Sequence, residues 1–268
     1  MLFAPAVRPD LITKMPATGA DAIVIDLEDA TPPNAKAQGR NNLQAAMREL
    51  ADSIPVLARI NDPTTPWYRD DINALPPGLA GIVVPKIETV EGLDQLSHDL
   101  GLFEGFIVGG IETALGVADS RALLAHRAID AAYFGAEDFM ADMGGVRTEA
   151  NHEVAYARSQ VALAARLGSI VVVDQIVADF RDDARFEREC VEAKAIGYRG
   201  KLCIHPSQVA IANRCFLPTP DEVDRAERLV AAYVEAQAAG VASIAFEGQM
   251  VDEPVAAQAR RVIELASD

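Results

Sequence analysis

The sequence predicts an α/β fold, a (β/α)8 barrel with a C-terminal helical lid extension. Three observations carry that prediction. Short apolar runs recur eight times, seven of them wholly apolar and the last interrupted by Lys201, stretches with apolar residues at intervals of three and four lie between them, and several of the runs break onto acidic residues. Strands that are apolar on both faces belong to parallel sheets covered by helices, and eight strand-helix units suit a closed barrel of the TIM type. An open, doubly wound sheet is the competing topology. No Gly-x-Gly-x-x-Gly turn follows the first apolar run and no Gly-Lys-Ser or Gly-Lys-Thr occurs, so the usual nucleotide signatures of open sheets are missing.

The expected strands are residues 2–4, 22–25, 56–58, 81–84, 106–108, 131–134, 170–173 and 200–203. Helical periodicity is clearest over 35–50, 90–100, 152–167 and 185–196. Residues 1–205 therefore make the expected catalytic barrel. Beyond them Pro206, Pro218 and Pro220 punctuate the chain, and Thr219 with Glu222 three residues on has the pattern of a capping box opening a helix to about 238. A last helix is expected over 255–266. Residues 206–268 thus form the expected helical extension and lid, an appendage suited to covering a site or packing on a neighbouring subunit.

The 268 residues are half hydrophobic, yet no apolar run approaches the roughly 20 residues that span a bilayer, so no membrane partner is expected. The N-terminus lacks a charged region followed by a long apolar segment, and the expected location is the cytoplasm. Cys190, Cys203 and Cys215 suit neither a zinc site nor a disulfide framework and are expected to be reduced packing residues. A net charge of -16 argues against a general nucleic-acid surface, since such binding neutralises many phosphates. A local basic cluster can still take an anionic ligand.

In a barrel of this kind chemistry gathers at the C-terminal ends of the strands. Two of those ends deliver a carboxylate just after a glycine: the fifth run opens onto Glu112, the sixth onto Glu137 and Asp138. Glu112 and Asp138 on one rim suit a hard divalent cation such as Mg2+, which takes a couple of carboxylates and keeps positions for water and substrate oxygens. Acids after strands are more often helix N-caps, and it is the pairing that favours a metal. The other ends read Asp26-Leu27-Glu28-Asp29, Arg59-Ile60-Asn61, Lys86 and Asp174, where caps and structural ion pairs compete with functional roles. Arg59 is the stronger functional candidate, because a guanidinium fork matches a substrate carboxylate bidentately. Lys86 on a barrel strand has the option of a Schiff base, but the carboxylate pair favours a metal-assisted route. His205, before Pro206, reads as a residue fixed by packing and hydrogen bonds.

The runs Asp26-Leu27-Glu28-Asp29-Ala30, Arg59-Ile60-Asn61, Pro85-Lys86-Ile87-Glu88, Ile111-Glu112-Thr113, Gly135-Ala136-Glu137-Asp138, Ile204-His205-Pro206-Ser207-Gln208 and Gly248-Gln249-Met250-Val251-Asp252 resemble those of the citrate lyase beta subunit-like family, which includes malyl-CoA and citramalyl-CoA lyases. The resemblance covers nearly the whole chain in order. It implies a Mg2+-dependent carbon-carbon lyase that cleaves a short 3-hydroxyacyl-CoA thioester to acetyl-CoA or an analogue and a keto acid, assembled as a homotrimer or hexamer with shared active sites. By this resemblance Glu112 and Asp138 hold Mg2+, Glu28 and Asp29 hold its waters, and Arg59 binds the substrate carboxylate and steadies the enolate. Phe3, Arg8 and Lys14 meet the CoA moiety, and Asp252 is a lid acid/base reaching a neighbouring subunit's site. A citryl-acyl carrier lyase subunit and a non-catalytic CoA-binding protein are the alternatives. One departure concerns the acyl pocket: relatives often carry tyrosine three residues after the aspartate at 174, and this chain has Val177.

Overall fold

The computed structural model describes residues 1–50 and 52–267. Two compact units divide between Asn213 and Arg214. The first carries β1 (Leu2–Pro5), α1 (Pro9–Ile12), β2 (Ile23–Asp26), α2 (Lys36–Leu50), β3 (Val56–Arg59), α3 (Tyr68–Asn73), β4 (Gly81–Val84), α4 (Val90–Leu100), β5 (Phe106–Ile111), α5 (Ala114–Ala118), α6 (Ser120–Leu123), β6 (Ala131–Phe134), α7 (Ala136–Met143), α8 (Ala155–Gly168), β7 (Val171–Val173) and α9 (Asp183–Ile196). The residues of α10 (Pro206–Phe216) straddle the division. The second unit carries α11 (Pro220–Ala238), β8 (Ile244–Phe246), β9 (Gln249–Val251) and α12 (Glu253–Ser267).

Strands β1 to β7 pair in sequence order, all parallel, as one curled sheet. Val24, Leu57, Val83, Val108, Tyr133, Val173 and Leu202 pack as a buried ring on its inner face, with Phe3, Ala131 and Ile176 against it. The alternate positions Ile23, Ile25, Ala58, Ile82, Val84 and Ile107 are buried as well, which is why each strand reads as apolar throughout. Each aliphatic side chain so buried contributes ~1.5–3 kcal/mol.

The eighth expected strand takes a reduced form. Residues 200–203 make isolated parallel bridges, Asp174 with Lys201 and Leu2 with Cys203, rather than a ladder. On one side Asp174 N–H donates to Gly200 O and Leu202 N–H to Asp174 O; on the other Phe3 N–H donates to Cys203 O and Cys203 N–H to Met1 O, all at 2.9 Å. With one reciprocal pair per side, the segment has too few bonds for a strand.

In the second unit Thr219 Oγ1 accepts from Glu222 N at 3.2 Å while Glu222 Oε2 accepts from Thr219 N at 2.7 Å, the reciprocal box expected at the start of α11. Such a cap is worth about 1 kcal/mol. Helices α11 and α12 bury Ala226, Leu229, Tyr233, Ala256 and Ala259 together with Val251. The β8–β9 hairpin escapes sequence reading. Its two-residue turn holds Glu247 at φ 49° and Gly248 at φ 78°, the positive pair that a type I′ turn demands, and glutamate is a poor advertisement for it. Among the described residues no helix is long and apolar enough to cross a membrane. Cys190 and Cys203 are buried and Cys215 is half-buried.

Candidate active site

Strand periodicity carries the site from the core to the rim. Asp26 and Arg59 lie two residues beyond the ring members Val24 and Leu57, and Glu112 lies four beyond Val108, so all three share the inner face. That face is apolar in its depth and charged where the strands end.

Asp26 and Arg59 are register partners across β2 and β3. Arg59 Nε donates to Asp26 Oδ1 at 2.8 Å and Nη2 donates to Oδ2 at 2.6 Å, while the guanidinium lies 5.4 Å from the Phe3 ring centroid. The same carboxylate accepts the backbone N–H groups of Glu28 at 2.8 Å and Ala30 at 3.2 Å. Asp26 therefore orients Arg59 and shapes the turn that presents Glu28. Sequence reasoning passed over it as a functional residue, although the register makes it the neighbour of Arg59.

Glu112 is buried, and Lys86 N–H at 2.9 Å and the Tyr133 hydroxyl at 3.0 Å both donate to its Oε1. Burial, then the charges of Asp138 and Glu28, push its carboxyl up to about 7. The backbone of Gly135 passes so close that a Cβ there would sit 2.3 Å from Glu112 Oε2; no other residue fits. Glu28 is buried too, its carboxyl raised by that burial and only partly relieved by Arg59 and Lys86. Lys86 Nζ lies 2.7 Å from Glu28 Oε1, 3.4 Å from Asp138 Oδ1 and 3.9 Å from the exposed Asp29 Oδ2. Lys86 holds φ 50°, a left-handed conformation that costs a residue with a Cβ ~1–2 kcal/mol. That backbone turns its N–H to Glu112 and lets its ammonium reach the other acids.

Among the described residues no group of three or more His, Cys, Asp and Glu is arranged to hold a metal by itself. Mg2+ does not require one, since it binds through one or two carboxylates and keeps its waters. Glu112 and Asp138 supply two hard oxygen donors whose charges oppose each other. Glu28 Oε2 is buried without a hydrogen bond, its neighbour being Arg59 Nε in an ion pair at 3.2 Å, and it has acceptor capacity left for a water of such an ion. The donor set fits the metal.

The sequence profile of the HpcH/HpaI aldolase/citrate lyase family matches residues 1–206. The chain belongs to that family. It is 44% identical over 270 residues to a citrate lyase subunit beta-like protein of Deinococcus radiodurans, covering 98% of this chain and 95% of the relative. It is 33% identical over 297 residues to an L-malyl-CoA/beta-methylmalyl-CoA lyase of Cereibacter sphaeroides, covering 99% and 93%. The crystal structure of the CitE protein of Mycobacterium tuberculosis in complex with magnesium, acetoacetate and coenzyme A superimposes with a TM-score of 0.85 at 29% identity, over 100% of this chain and 97% of that one.

Arg8 and Lys14 flank α1, beyond the end of β1; both are exposed, and Arg8 is engaged with Asp10 at 2.7 and 2.8 Å. Asp252 belongs to the second unit, between β9 and α12, where its Oδ1 accepts from Val255 N at 3.5 Å. His205 bonds Ser207 Oγ at 2.8 Å and stacks on Phe180, the packing role expected of it. Asp174 is an ion-pair partner of Arg158 and Lys201 in a fully buried network. Val177 is buried, and its carbonyl accepts from Gln208 Nε2 at 3.2 Å.

Proposed function

We propose that this protein is a Mg2+-dependent carbon-carbon lyase that cleaves a short 3-hydroxyacyl-CoA thioester, of the malyl-, citramalyl- or 3-hydroxy-3-methylglutaryl-CoA type, to acetyl-CoA or an analogue and a keto acid. The observation that carries it is the convergence of Glu112, Asp138, Glu28 and Arg59 on one strand-end rim, in a chain whose named relatives include a lyase of malyl-CoA. Glu112 and Asp138 would hold the Mg2+, which when bound acts as a Lewis acid toward the substrate's oxygens. Glu28 and Asp29 would hold the waters of that ion.

Arg59 spends Nε and Nη2 on Asp26, leaving Nη1 for a substrate carboxylate, and its fixed charge steadies an enolate without reorganisation. Breaking the C2–C3 bond leaves that thioester enolate and turns the 3-hydroxyl carbon into a carbonyl. Over the whole reaction the hydroxyl proton is transferred to the enolate carbon, with the Asp252 carboxyl as the final donor; in condensation the same group removes it. Phe3, Arg8 and Lys14 receive the CoA moiety in this reading. The segment 200–203 acts as the eighth stave of a (β/α)8 barrel, residues 206–268 act as its lid, and the chain assembles as a homotrimer or hexamer in which Asp252 serves a neighbour's site.

The test is a lyase assay of the purified chain on a panel of these thioesters, with Mg2+ or with EDTA, following acetyl-CoA and keto-acid release. Cleavage of one member that EDTA abolishes is the expected result. Silence across the panel from folded protein refutes the thioester-lyase reading and leaves an acyl carrier protein substrate or a non-catalytic CoA-binding protein. Mixing inactive Asp252→Ala with inactive Arg59→Ala chains should restore activity in verified mixed oligomers; no recovery overturns the shared site.

A further inference from the structure

The rim carries more negative charge than its fixed cations offset. Asp26, Glu28, Asp29, Glu112 and Asp138 gather there against Arg59 and Lys86, and Arg59 is committed in a bidentate pair to Asp26. Arg59 Nε also pairs with Glu28 Oε2 at 3.2 Å, and Lys86 shares Glu28 with it while serving Asp138 and Asp29 by itself. Its ammonium reaches Glu28, Asp138 and Asp29 at 2.7, 3.4 and 3.9 Å, and its backbone N–H holds Glu112 at 2.9 Å. One residue thus touches both candidate metal ligands and both candidate water-holding acids.

We propose that Lys86 is an internal counter-cation that competes with the divalent ion for this acid cluster and thereby sets its affinity. The proposal rests on the reading of Glu112 and Asp138 as metal ligands. An ammonium ion-paired with Asp138 at 3.4 Å engages a carboxylate that the ion also uses, and it stands as a like charge beside the ion's ligands. Binding the metal then means exchanging Asp138 from Lys86 to the ion while Lys86 keeps Glu28 and Asp29. Lysine suits the task better than arginine, because a compact head on a flexible stem changes partners without a planar fork to realign. The left-handed backbone at Lys86 fits the same role, since such strain persists where the surroundings over-determine it and clusters at functional sites. A Schiff-base role is disfavoured, because it needs a neutral amine and three acids hold this one as the cation.

Calorimetric Mg2+ titration of the EDTA-treated, dialysed full chain tests this directly. Lys86→Met removes the competing charge and should tighten Mg2+ binding roughly tenfold or more. Lys86→Arg keeps the charge and should stay within about threefold of wild type. Equal or weaker binding by Lys86→Met, beside measurable wild-type binding, overturns the proposal. Absence of wild-type binding defeats the metal reading itself, and the proposal falls with it. Should Lys86→Met fail to fold, amine acetylation of the wild type decides. The chain has five lysines, of which Lys36 and Lys201 are buried internal controls. Saturating Mg2+ should raise the labelling rate of Lys86 and leave Lys14 and Lys194 unchanged; an unaltered Lys86 rate would sink the idea.

Discussion

Two clusters of buried charge stand in the first unit, one on the strand-end rim and one behind β7, and they are built on opposite terms. Behind β7, Arg158 clasps Asp174 through two bonds of 2.7 Å, and Lys201 bonds Asp174 at 2.6 Å and Glu189 at 3.2 Å. Arg185 adds a bond of 2.9 Å to Glu189. Cations there match or exceed the acids. On the rim they fall short. Glu112 and Glu189 are equally hidden, each 1% exposed, yet their carboxyls move in opposite directions. Burial pushes Glu112 up and Asp138 and Glu28 push the same way, to about 7. Burial also pushes on Glu189, but Lys201, a side-chain bond from Asn151 and then Arg185 outweigh it and hold the carboxyl at about 2. Hiding a carboxylate does not mark a functional site; leaving it without its counter-charge does.

The largest expected effect breaks the balanced cluster. Lys201→Met leaves Asp174 and Glu189 short of a buried cation, which should cost ~3–5 kcal/mol and lower the melting temperature by roughly ten degrees, read by calorimetry. A loss within error would mean that the network is not held by its charges. The corresponding change on the rim should go the other way. Glu112→Gln keeps an Oε1 acceptor for Lys86 N–H and the Tyr133 hydroxyl while removing one surplus charge. A raised carboxyl loses stability as pH climbs from its ordinary 4.5 through 7, so at pH 8 in EDTA the variant should be more stable by ~1–2 kcal/mol. At pH 5 the two proteins should melt together. Mg2+ affinity, by contrast, should fall roughly tenfold or more, since a neutral amide is a poorer donor to a hard cation. A variant destabilised at pH 8 would show that Glu112 belongs to the structural class.

How much of this was legible follows from which residues define each feature. Glu112 could be read because it closely follows an apolar run, and parity along the strand then assigns its face; Asp138 follows a run too but is presented by the first turn of α7. The roles proposed for Glu28, Asp29 and Asp252 rest on family motifs, because spacing alone leaves them open, while that proposed for Arg59 rests also on its guanidinium fork. The Asp26–Arg59 pair was not legible, because it depends on which residues meet across β2 and β3, a register that neither strand contains by itself. Asp174, read as either a structural ion-pair residue or a functional one, needed its partners to decide. Its partners Arg158 and Lys201 come from α8 and the segment after α9, and only packing brings them together. The hairpin of β8 and β9 was hidden by its Glu-Gly turn, whereas the eighth strand, read at 200–203, was placed correctly in sequence but makes only one reciprocal pair of bonds on each side.

Acid titration sharpens the contrast with a smaller effect. Glu189 has a depressed carboxyl, so its contribution to stability is present above its ordinary 4.5 and is lost as pH falls toward about 2. Between pH 5 and pH 3 the wild type should therefore lose ~1–2 kcal/mol more stability than Glu189→Gln does, measured by urea unfolding at each pH. Parallel losses would mean that Glu189 is not held ionised by Lys201 and Arg185.

The smallest expected effect separates exposure from imbalance on the rim itself. Asp29 is exposed and stands 3.9 Å from Lys86 Nζ, so water already screens it and its ion pair adds little. Asp29→Asn should change unfolding free energy by less than about 0.5 kcal/mol. Its charge still acts on the same ammonium and on any cation bound at the rim, so Mg2+ affinity should weaken by about two- to threefold, read by the same calorimetry. A stability loss as large as that of Lys201→Met would place Asp29 in the folded framework. An affinity loss as large as that of Glu112→Gln would make it a direct ligand, and the surplus negative charge would then reach further into solvent than the buried carboxylates do.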